Sequence, residues 1–241
     1  MSKLALITGA NKGIGLETAR QLGKLGIQLL IGARDAKAGE AAAAQLRSEG
    51  LSADALLIDV TSAPSIANAA SEVARKHKML DILVNNAGVL LDDPARTPSA
   101  QSLDVWQRTF QANLFGTVAV TQAFLPLLRQ APAARIVNLS SILASLALHS
   151  DPTSRIYHSQ NPAYNASKTA VNAWTVSLAY ELRDTKIKVN AAHPGHVQTD
   201  MGGANAPMQI VDGAKTSVAL ATLAADGPSG SFSHLGQVLP W

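Results

Sequence analysis

A tyrosine and a lysine lie four residues apart in the segment Tyr164-Asn165-Ala166-Ser167-Lys168. On a helix this spacing places both side chains on the same face. A tyrosine hydroxyl titrates at about pH 10 in water, which is too high for an efficient acid or base at neutral pH. An adjacent ammonium group favours the phenolate and lowers the pKa of the tyrosine. The pair therefore predicts proton transfer by Tyr164 to or from a substrate oxygen.

Two serines supply a second polar group for the same chemistry. Ser140 and Ser141 end a short apolar segment that predicts a strand, and this strand precedes the helix of Tyr164. A serine hydroxyl close to the tyrosine could hold the carbonyl oxygen of a substrate. The residue types alone leave open which of the two serines has this role.

A glycine-rich loop follows the first predicted strand and leads directly into a helix. Its sequence is Thr8-Gly9-Ala10-Asn11-Lys12-Gly13-Ile14-Gly15. Gly9 permits a tight turn, while Gly13 and Gly15 allow the close approach of a pyrophosphate and of the next helix. The N–H groups at the start of a helix bind phosphates. The loop therefore predicts a dinucleotide site, with a plain glycine-rich turn as the alternative.

The charge that follows the second predicted strand indicates which dinucleotide binds. Sites for NAD commonly place a carboxylate there, on the ribose hydroxyls. This chain has Ala33 followed by Arg34. Arg34 and Lys12 could pair with the 2′-phosphate of NADPH, although Asp35 weakens this argument slightly. We predict NADPH/NADP+ rather than NADH; the alternative is that both cations are ordinary surface residues.

Strand-like and helix-like segments alternate along the chain and must position these groups. The predicted strands are Leu4–Ile7, Ile27–Ile31, Ala55–Ile58, Ile82–Val84, Arg135–Leu139 and Ile187–Ala191. The predicted helices are Ile14–Leu25, Ala36–Ser48, Ser62–His77, Leu103–Leu128 and Ala163–Arg183. The alternation predicts an α/β fold of the Rossmann type, a parallel, doubly wound sheet with helices on both faces. No shift of composition marks a second domain, so we predict one NADP(H)-binding catalytic domain over residues 1–241.

Three irregular stretches follow predicted strands, at Leu90–Ser102, Leu146–Pro162 and Gly195–Ile210. Ligands of open α/β sheets bind at the carboxyl ends of the strands, where such loops meet. We therefore expect these stretches to form the walls of a substrate site. Their apolar side chains, such as Leu90 and Met201, favour an apolar carbonyl compound or alcohol of modest size.

The composition argues against several other classes of protein. The chain has 241 residues, of which 47% are hydrophobic and 15% charged, and this suits a large buried core. The formal net charge is +3, without a run of like charges, which argues against a nucleic-acid partner. The longest apolar stretch, about 15 residues from Leu114 to Leu128, predicts a buried helix rather than a membrane span. We expect a cytoplasmic protein with no nucleic-acid or membrane partner.

The possible metal ligands are few. The chain contains no cysteine, which removes disulfides, thiolate catalysis and cysteine-based zinc sites. His193 and His196 are spaced as a zinc pair could be, but Asp200 is the one nearby carboxylate with a usual ligand spacing. We predict no metal site and interpret His193 as a loop packing residue near the cofactor.

Motifs in a characteristic order give the chain a resemblance to the short-chain dehydrogenase/reductase family, in its single-domain branch. The matching motifs are Thr8-Gly9 to Gly15, Asp59-Val60, Asn85-Asn86-Ala87-Gly88, Asn113, Asn138-Leu139-Ser140-Ser141, Tyr164-x-x-x-Lys168, and Pro194-Gly195 followed by Val197-Gln198-Thr199-Asp200. They extend over residues 4 to 201. The resemblance implies a mainly parallel, seven-stranded sheet.

By this resemblance, Tyr164 donates a proton to the carbonyl oxygen and Ser141 hydrogen-bonds the same oxygen, with Ser140 as the alternative. Lys168 binds the nicotinamide ribose and lowers the pKa of Tyr164, and Asn113 supports a water relay to Lys168. The resemblance also implies that the cofactor contacts Gly9, Asn11, Lys12, Gly13, Ile14, Gly15, Arg34, Asp59, Val60, Asn86, Ala87, Gly88, Tyr164, Lys168, Pro194, Gly195, Val197 and Thr199.

The chain departs from the family pattern between Ser141 and Tyr164. These residues are 23 positions apart, whereas the family commonly has a much shorter interval. The additional length, around His149–Asn161, resembles the carbonyl-reductase subgroup. So do Ala-Arg-Asp after the second strand and the pair Pro240-Trp241. Because the insertion precedes a helix often used for pairing, a dimer, a tetramer and a monomer all remain open.

The sequence thus predicts an NADPH-dependent oxidoreductase that reduces a ketone or aldehyde to an alcohol, and catalyses the reverse reaction, with Tyr164 as general acid/base. One alternative is a catalytically silent NADP(H)-binding regulatory protein of the same fold. A sensor without turnover would have no chemical need for the whole set of Asn113, Ser141, Tyr164 and Lys168. A sugar-nucleotide epimerase or dehydratase is disfavoured because little chain remains beyond Pro194 for a substrate region.

Overall fold

The computed structural model describes residues 2–241 as alternating strands and helices. The strands are β1 (Leu4–Thr8), β2 (Gln28–Ala33), β3 (Ala53–Leu57), β4 (Ile82–Asn85), β5 (Arg135–Leu139), β6 (Lys188–Ala192), β7 (Phe232–His234) and β8 (Gln237–Val238). The helices are α1 (Gly13–Lys24), α2 (Ala36–Ser48), α3 (Ala63–Lys76), α4 (Leu103–Phe110), α5 (Gly116–Gln130), α6 (Leu146–His149), α7 (Pro162–Glu181) and α8 (Ile210–Ala221).

The strands form one sheet in the order β3-β2-β1-β4-β5-β6-β7-β8. All neighbours from β3 to β7 pair in parallel, which confirms the predicted doubly wound sheet. The strand order reverses between β1 and β4, the position where ligands bind in such folds.

The sheet has an eighth strand beyond the seven expected. β8 pairs antiparallel with β7, and the two are joined by a tight turn at Leu235 and Gly236, both with positive φ. β8 has two exposed residues, Gln237 and Val238. So short and exposed a strand has no hydrophobic alternation, which is why the sequence pattern did not predict it.

Two layers of apolar side chains hold the helices on the sheet. Alternate residues of each strand face opposite sides, so Leu4 and Leu6 join one core cluster while Ala5 and Ile7 join the other. The first cluster packs under α3, α5 and α7, and the second under α1, α2 and α8. Both clusters consist mainly of Ala, Val, Leu and Ile side chains.

Local capping signals explain several helix boundaries. The Asp35 carboxylate accepts from the N–H of Ala38 and caps α2, while Gly50, with φ +82°, lies just beyond its end. The cap of α3 is Ser62, whose hydroxyl accepts from the N–H of Ser65, and not Asp59 or Thr61 just before it. The Asp59 carboxylate instead accepts from both the N–H and the hydroxyl of Thr61.

The helix expected over Leu103–Leu128 is divided into three parts. A π-helical turn, Gln111–Phe115, lies between α4 and α5. Within it, the backbone carbonyl of Asn113 accepts a hydrogen bond from the Thr117 hydroxyl (2.8 Å). Such turns widen a helix locally and often lie at functional sites. This one contains Asn113, a predicted site residue.

The three irregular stretches lie after β4, β5 and β6, as expected. They therefore meet at the carboxyl edge of the sheet, together with the glycine loop after β1. Among the described residues, 2–241, no helix is both long and apolar enough to cross a membrane.

Candidate active site

Tyr164 and Lys168 lie one helical turn apart on α7, with both side chains buried against the carboxyl edge of the sheet. The Lys168 ammonium nitrogen lies 5.7 Å from the centre of the Tyr164 ring. It donates a hydrogen bond to the backbone carbonyl of Leu139, the last residue of β5 (2.7 Å). The structure therefore brings the predicted pair together and fixes the lysine to the end of a strand.

The protonation equilibria of this pair are governed by burial. Burial raises the pKa of Tyr164 to about 12, and the side-chain hydrogen bond with Ser141 opposes that rise. Burial also lowers the pKa of Lys168 to about 8. The sequence predicted a lowered tyrosine pKa. In the structure the loss of hydration is the largest influence on the pKa of Tyr164, and it acts in the opposite direction.

The structure distinguishes the two serines. The Ser141 side chain lies close enough to Tyr164 to lower the pKa of the tyrosine, and its hydroxyl accepts a hydrogen bond from the N–H of Leu143 (3.2 Å). Ser140 donates to the side-chain oxygen of Asn172 (2.6 Å) and is 2% exposed. Ser140 is therefore a buried structural residue, and Ser141 is the serine that lies beside the tyrosine.

Asn113 lies in the π-helical turn and is 1% exposed. Its amide group exchanges two hydrogen bonds with the backbone of Val89 and donates a third to the Ser167 hydroxyl (2.9 Å). Gly88 packs closely here: a Cβ atom at that position would lie 3.1 Å from Asn113 Oδ1 and 3.4 Å from Lys168 Nζ. Asn113, Gly88 and Lys168 are thus neighbours, as the motifs predicted.

The glycine loop is locked onto the end of β4. The Asn86 amide donates to the backbone carbonyls of Thr8 (2.8 Å) and Gly9 (3.1 Å). The Thr8 hydroxyl accepts from the N–H groups of Asn86 (3.0 Å) and Ala87 (3.1 Å). Gly9 and Gly13 have φ angles of +62° and +57°, a region that favours glycine. The loop is therefore a fixed cradle at the start of α1.

Two cations lie exposed near this cradle. Arg34 follows β2 directly, and Lys12 precedes α1. Lys12 makes an exposed ion pair with Asp200 (2.5 Å), which lowers the pKa of that carboxyl group. The Asp35 carboxylate is engaged in capping α2. Asp35, which weakened the sequence argument for NADPH, therefore has a structural role as the cap of α2.

The remaining predicted cofactor residues border the same cleft. Asp59 and Val60 follow β3, at the same edge of the sheet as Arg34. The segment that includes Pro194, Gly195, Val197 and Thr199 follows β6. A Cβ atom on Gly13 would lie 3.6 Å from Thr199 Cγ2, so this segment faces the glycine loop. These predicted cofactor residues thus lie at the carboxyl edge of the sheet, together with the glycine loop.

His193 connects the segment that follows β6 to the segment that follows β5 and contains Ser141. Its Nδ1 accepts from the N–H of Ile142 (3.1 Å), and its ring packs against His234 with 4.8 Å between ring centres. Burial, together with His234, lowers the pKa of His193 to about 3, so the ring is neutral at pH 7. The nearby His196 contacts the carbonyl oxygen of Gly202 (2.8 Å). Within residues 2–241 no three His, Asp or Glu side chains form a metal-binding group.

Asp92 and Ser167 support the site but were not predicted as site residues. Asp92 accepts from the N–H groups at the start of α7, and Ser167 bridges Asn113 Nδ2 to the carbonyl of Tyr164. The position of Ser167 inside the Tyr-Lys motif was a signal available in the sequence. For Asp92 there was none, because its partners are more than 70 residues away.

The geometry and the motifs define an oxidoreductase site of a known class. A sequence model of the family described as short chain dehydrogenase matches residues 3–209. The chain therefore belongs to the short chain dehydrogenase family.

Several relatives match nearly the whole chain. Carbonyl reductase [NADPH] 1 of Mus musculus is 33% identical over 99% of this chain and 98% of its own length. The short-chain dehydrogenase anuI of Penicillium roqueforti is 36% identical over 91% of this chain and 88% of its own. The structure of NADPH-bound carbonyl reductase from chicken fatty liver has a TM-score of 0.87 at 30% identity, covering 100% of this chain and 99% of that one.

Proposed function

We propose that this protein is an NADPH-dependent carbonyl reductase that converts a ketone or aldehyde to an alcohol and catalyses the reverse reaction. The observation that carries this proposal is the buried cluster of Ser141, Tyr164 and Lys168 beside the glycine loop. The full-length relatives named as NADPH carbonyl reductases agree with it. We further propose that residues 1–241 act as one NADP(H)-binding catalytic domain.

The residues around the cleft fit NADPH. Helix α1 directs its first N–H groups at the glycine cradle, where a pyrophosphate would bind. Arg34 and Lys12 supply exposed cations for a 2′-phosphate, and Asp35 is turned into the cap of α2. Because Lys12 and Asp200 are both exposed, their ion pair is weak and can exchange for a phosphate at little cost.

The other side of the cleft fits the nicotinamide half. Gly88 leaves room beside Lys168, and the segment from Pro194 to Thr199 forms the facing wall. Lys168 would bind the ribose with its ammonium group. When bound, NADPH supplies the hydride that reduces the carbonyl carbon.

The protein's own groups handle the carbonyl oxygen. Ser141 donates a hydrogen bond to that oxygen, and Tyr164 donates its phenolic proton as negative charge develops there. The Tyr164 hydroxyl is protonated at neutral pH, as a proton donor requires, and its raised pKa means that the phenolate formed on proton transfer needs stabilisation. Lys168 stabilises the phenolate that results, and Asn113 supports the water relay that returns a proton towards Lys168.

The substrate is proposed to be an apolar carbonyl compound of modest size. The loops after β5 and β6 present exposed apolar side chains, including Leu146 and Met201 (65% and 48% exposed). Exposed apolar residues in the segments that follow these strands favour a ligand that buries them.

The direct experiment follows the absorbance of reduced nicotinamide with purified protein and a panel of ketones, aldehydes and diketones. Oxidation of NADPH in preference to NADH establishes the reductase. Tight binding of NADPH without turnover across a broad panel would instead favour a regulatory protein of the same fold.

The proton-donor role makes a first prediction. Tyr164→Phe should lower kcat by roughly 10² to 10⁴-fold, because it removes the acid but keeps the ring. NADPH affinity, measured by fluorescence titration, should stay close to that of the wild type. Tyr180→Phe, on the exposed surface of α7, is the matched control and should retain activity. Wild-type turnover in Tyr164→Phe would show that another group donates the proton.

A further inference from the structure

The first turn of α7 receives a carboxylate from a distant part of the chain. Asp92, in the loop after β4, accepts hydrogen bonds from the backbone N–H groups of Ala163 (2.8 Å) and Tyr164 (3.0 Å). The Asp92 side chain is buried, and the residue is 7% exposed. The first N–H groups of a helix have no partner within the helix, and a cap usually comes from the residue just before it. In α7 the capping carboxylate belongs to Asp92, which lies 71 residues before Ala163 in the chain.

The loop of Asp92 is itself held in place. The Gln101 side chain pairs with both backbone groups of Asp93: its oxygen accepts from the N–H (3.1 Å) and its nitrogen donates to the carbonyl (2.7 Å). Gln101 is 8% exposed. The Asp93 carboxylate accepts from the N–H of Ala95 (2.9 Å) and closes the next turn. Asp92 is therefore a fixed anchor for α7.

We propose that Asp92 is a positioning residue for the reaction, because it fixes the backbone of the tyrosine that donates the proton. This inference rests on the proposed function of Tyr164. One of the two hydrogen bonds is made by the N–H of Tyr164 itself, so a shift of the carboxylate displaces the residue that carries the reacting hydroxyl.

The chemistry of the contact explains why a carboxylate stands there. Its two oxygens satisfy two adjacent N–H groups at once, and hydrogen bonds to an ionised group are stronger than neutral ones. A negative charge is also favoured at the amino end of a helix. The same loop carries Leu90 and Leu91, predicted walls of the substrate pocket, so Asp92 links that wall to Tyr164.

The test compares Asp92→Ala, Asp92→Asn and the control Asp184→Asn, all in the full chain. Asp184 is an exposed carboxylate beyond the far end of α7. Asp92→Ala should lower kcat by ~tenfold or more, since small misplacements of reacting groups are costly, with smaller changes in the KM of the carbonyl substrate and in NADPH affinity. Asp92→Asn keeps one acceptor and should recover part of the loss. Asp184→Asn should retain wild-type kcat.

Wild-type kcat in Asp92→Ala, or an equal loss in Asp184→Asn, would overturn the inference. If Asp92→Ala does not fold, the comparison of Asp92→Asn with Asp184→Asn decides by the same criterion. Amide hydrogen exchange separates this inference from the proposed function. If the wild type reduces no carbonyl compound, unchanged exchange at Ala163 and Tyr164 in the Asp92 variants still refutes the anchor, and faster exchange confined to that turn supports it.

Discussion

At the scale of single residues, the two cations proposed to bind the 2′-phosphate have different surroundings. Lys12 is paired with Asp200, whereas Arg34 is exposed beside Asp35, whose carboxylate caps α2. A guanidinium group forms two parallel hydrogen bonds with a phosphate, which an ammonium group does not. Arg34 is therefore the better candidate for choosing between NADPH and NADH.

Arg34→Ala should weaken NADPH binding by roughly tenfold to a hundredfold, because hydrogen bonds to charged groups contribute about 1.5–3 kcal/mol. NADH affinity should change little, since NADH has no 2′-phosphate. Fluorescence titration with both cofactors measures the difference. Lys37→Ala, which removes another exposed cation close by, is the control. Equal losses for both cofactors would indicate a packing role for Arg34.

At the scale of elements, the position of α7 depends on its contacts with its neighbours. Asp92 holds its first turn, and the Ser140 hydroxyl donates to Asn172 further along. Between them, Ser167 accepts from Asn113 in the π-helical turn and donates to the carbonyl of Tyr164. Ser167 therefore joins the two elements that carry the predicted catalytic groups.

Ser167→Ala should cost about 1–3 kcal/mol of stability, because it leaves the buried Asn113 amide short of a partner. It should also lower kcat, since the π-helical turn and α7 lose their direct link. Thr175→Val is the matched control. Thr175 lies on the same helix but away from the site, and the change removes the acceptor of the buried Asn138 amide. Urea unfolding and steady-state kinetics measure both effects. A loss of kcat as large in Thr175→Val would remove the special role of Ser167.

At the scale of the whole molecule, the buried lysine makes stability depend on pH. Lys168 has a pKa of about 8 in the folded protein, against an ordinary value of 10.5. Between these values the unfolded chain binds more protons, so the free energy of unfolding rises with pH across that window. Below pH 8 the folded protein bears the full cost of burying the charge.

Lys168→Met should therefore stabilise the cofactor-free protein relative to the wild type at pH 7, and the advantage should shrink as pH rises above 8. The whole effect is on the order of 3 kcal/mol from the size of the pKa shift. Urea unfolding at pH 7 and pH 9.5 measures this change in stability, and both pH values lie below the pKa of Tyr164 in the folded protein. The exposed Lys186→Met should show no such trend. A difference between Lys168→Met and wild type that stays constant with pH would mean that folding does not lower the pKa of Lys168.

Much of the fold and the centre of the site followed from the sequence. The alternating apolar segments, the glycine loop and the spacing of Tyr164 and Lys168 are local patterns, and local patterns report periodicity, turns and helix faces directly. They predicted the parallel sheet and a site at its carboxyl edge, whereas the choice of Ser141 over Ser140 came from the family resemblance.

Tertiary structure decided what depends on distant partners. The exposed strand β8, the cap of α7 by Asp92 and the ion pair of Lys12 with Asp200 all join segments far apart in the chain or too short to show a period. The protonation of Tyr164 belongs to the same group, because hydration is lost only when the chain packs around it. A sequence specifies that the N–H groups at the start of a helix need acceptors, but only the folded chain determines which carboxylate reaches them.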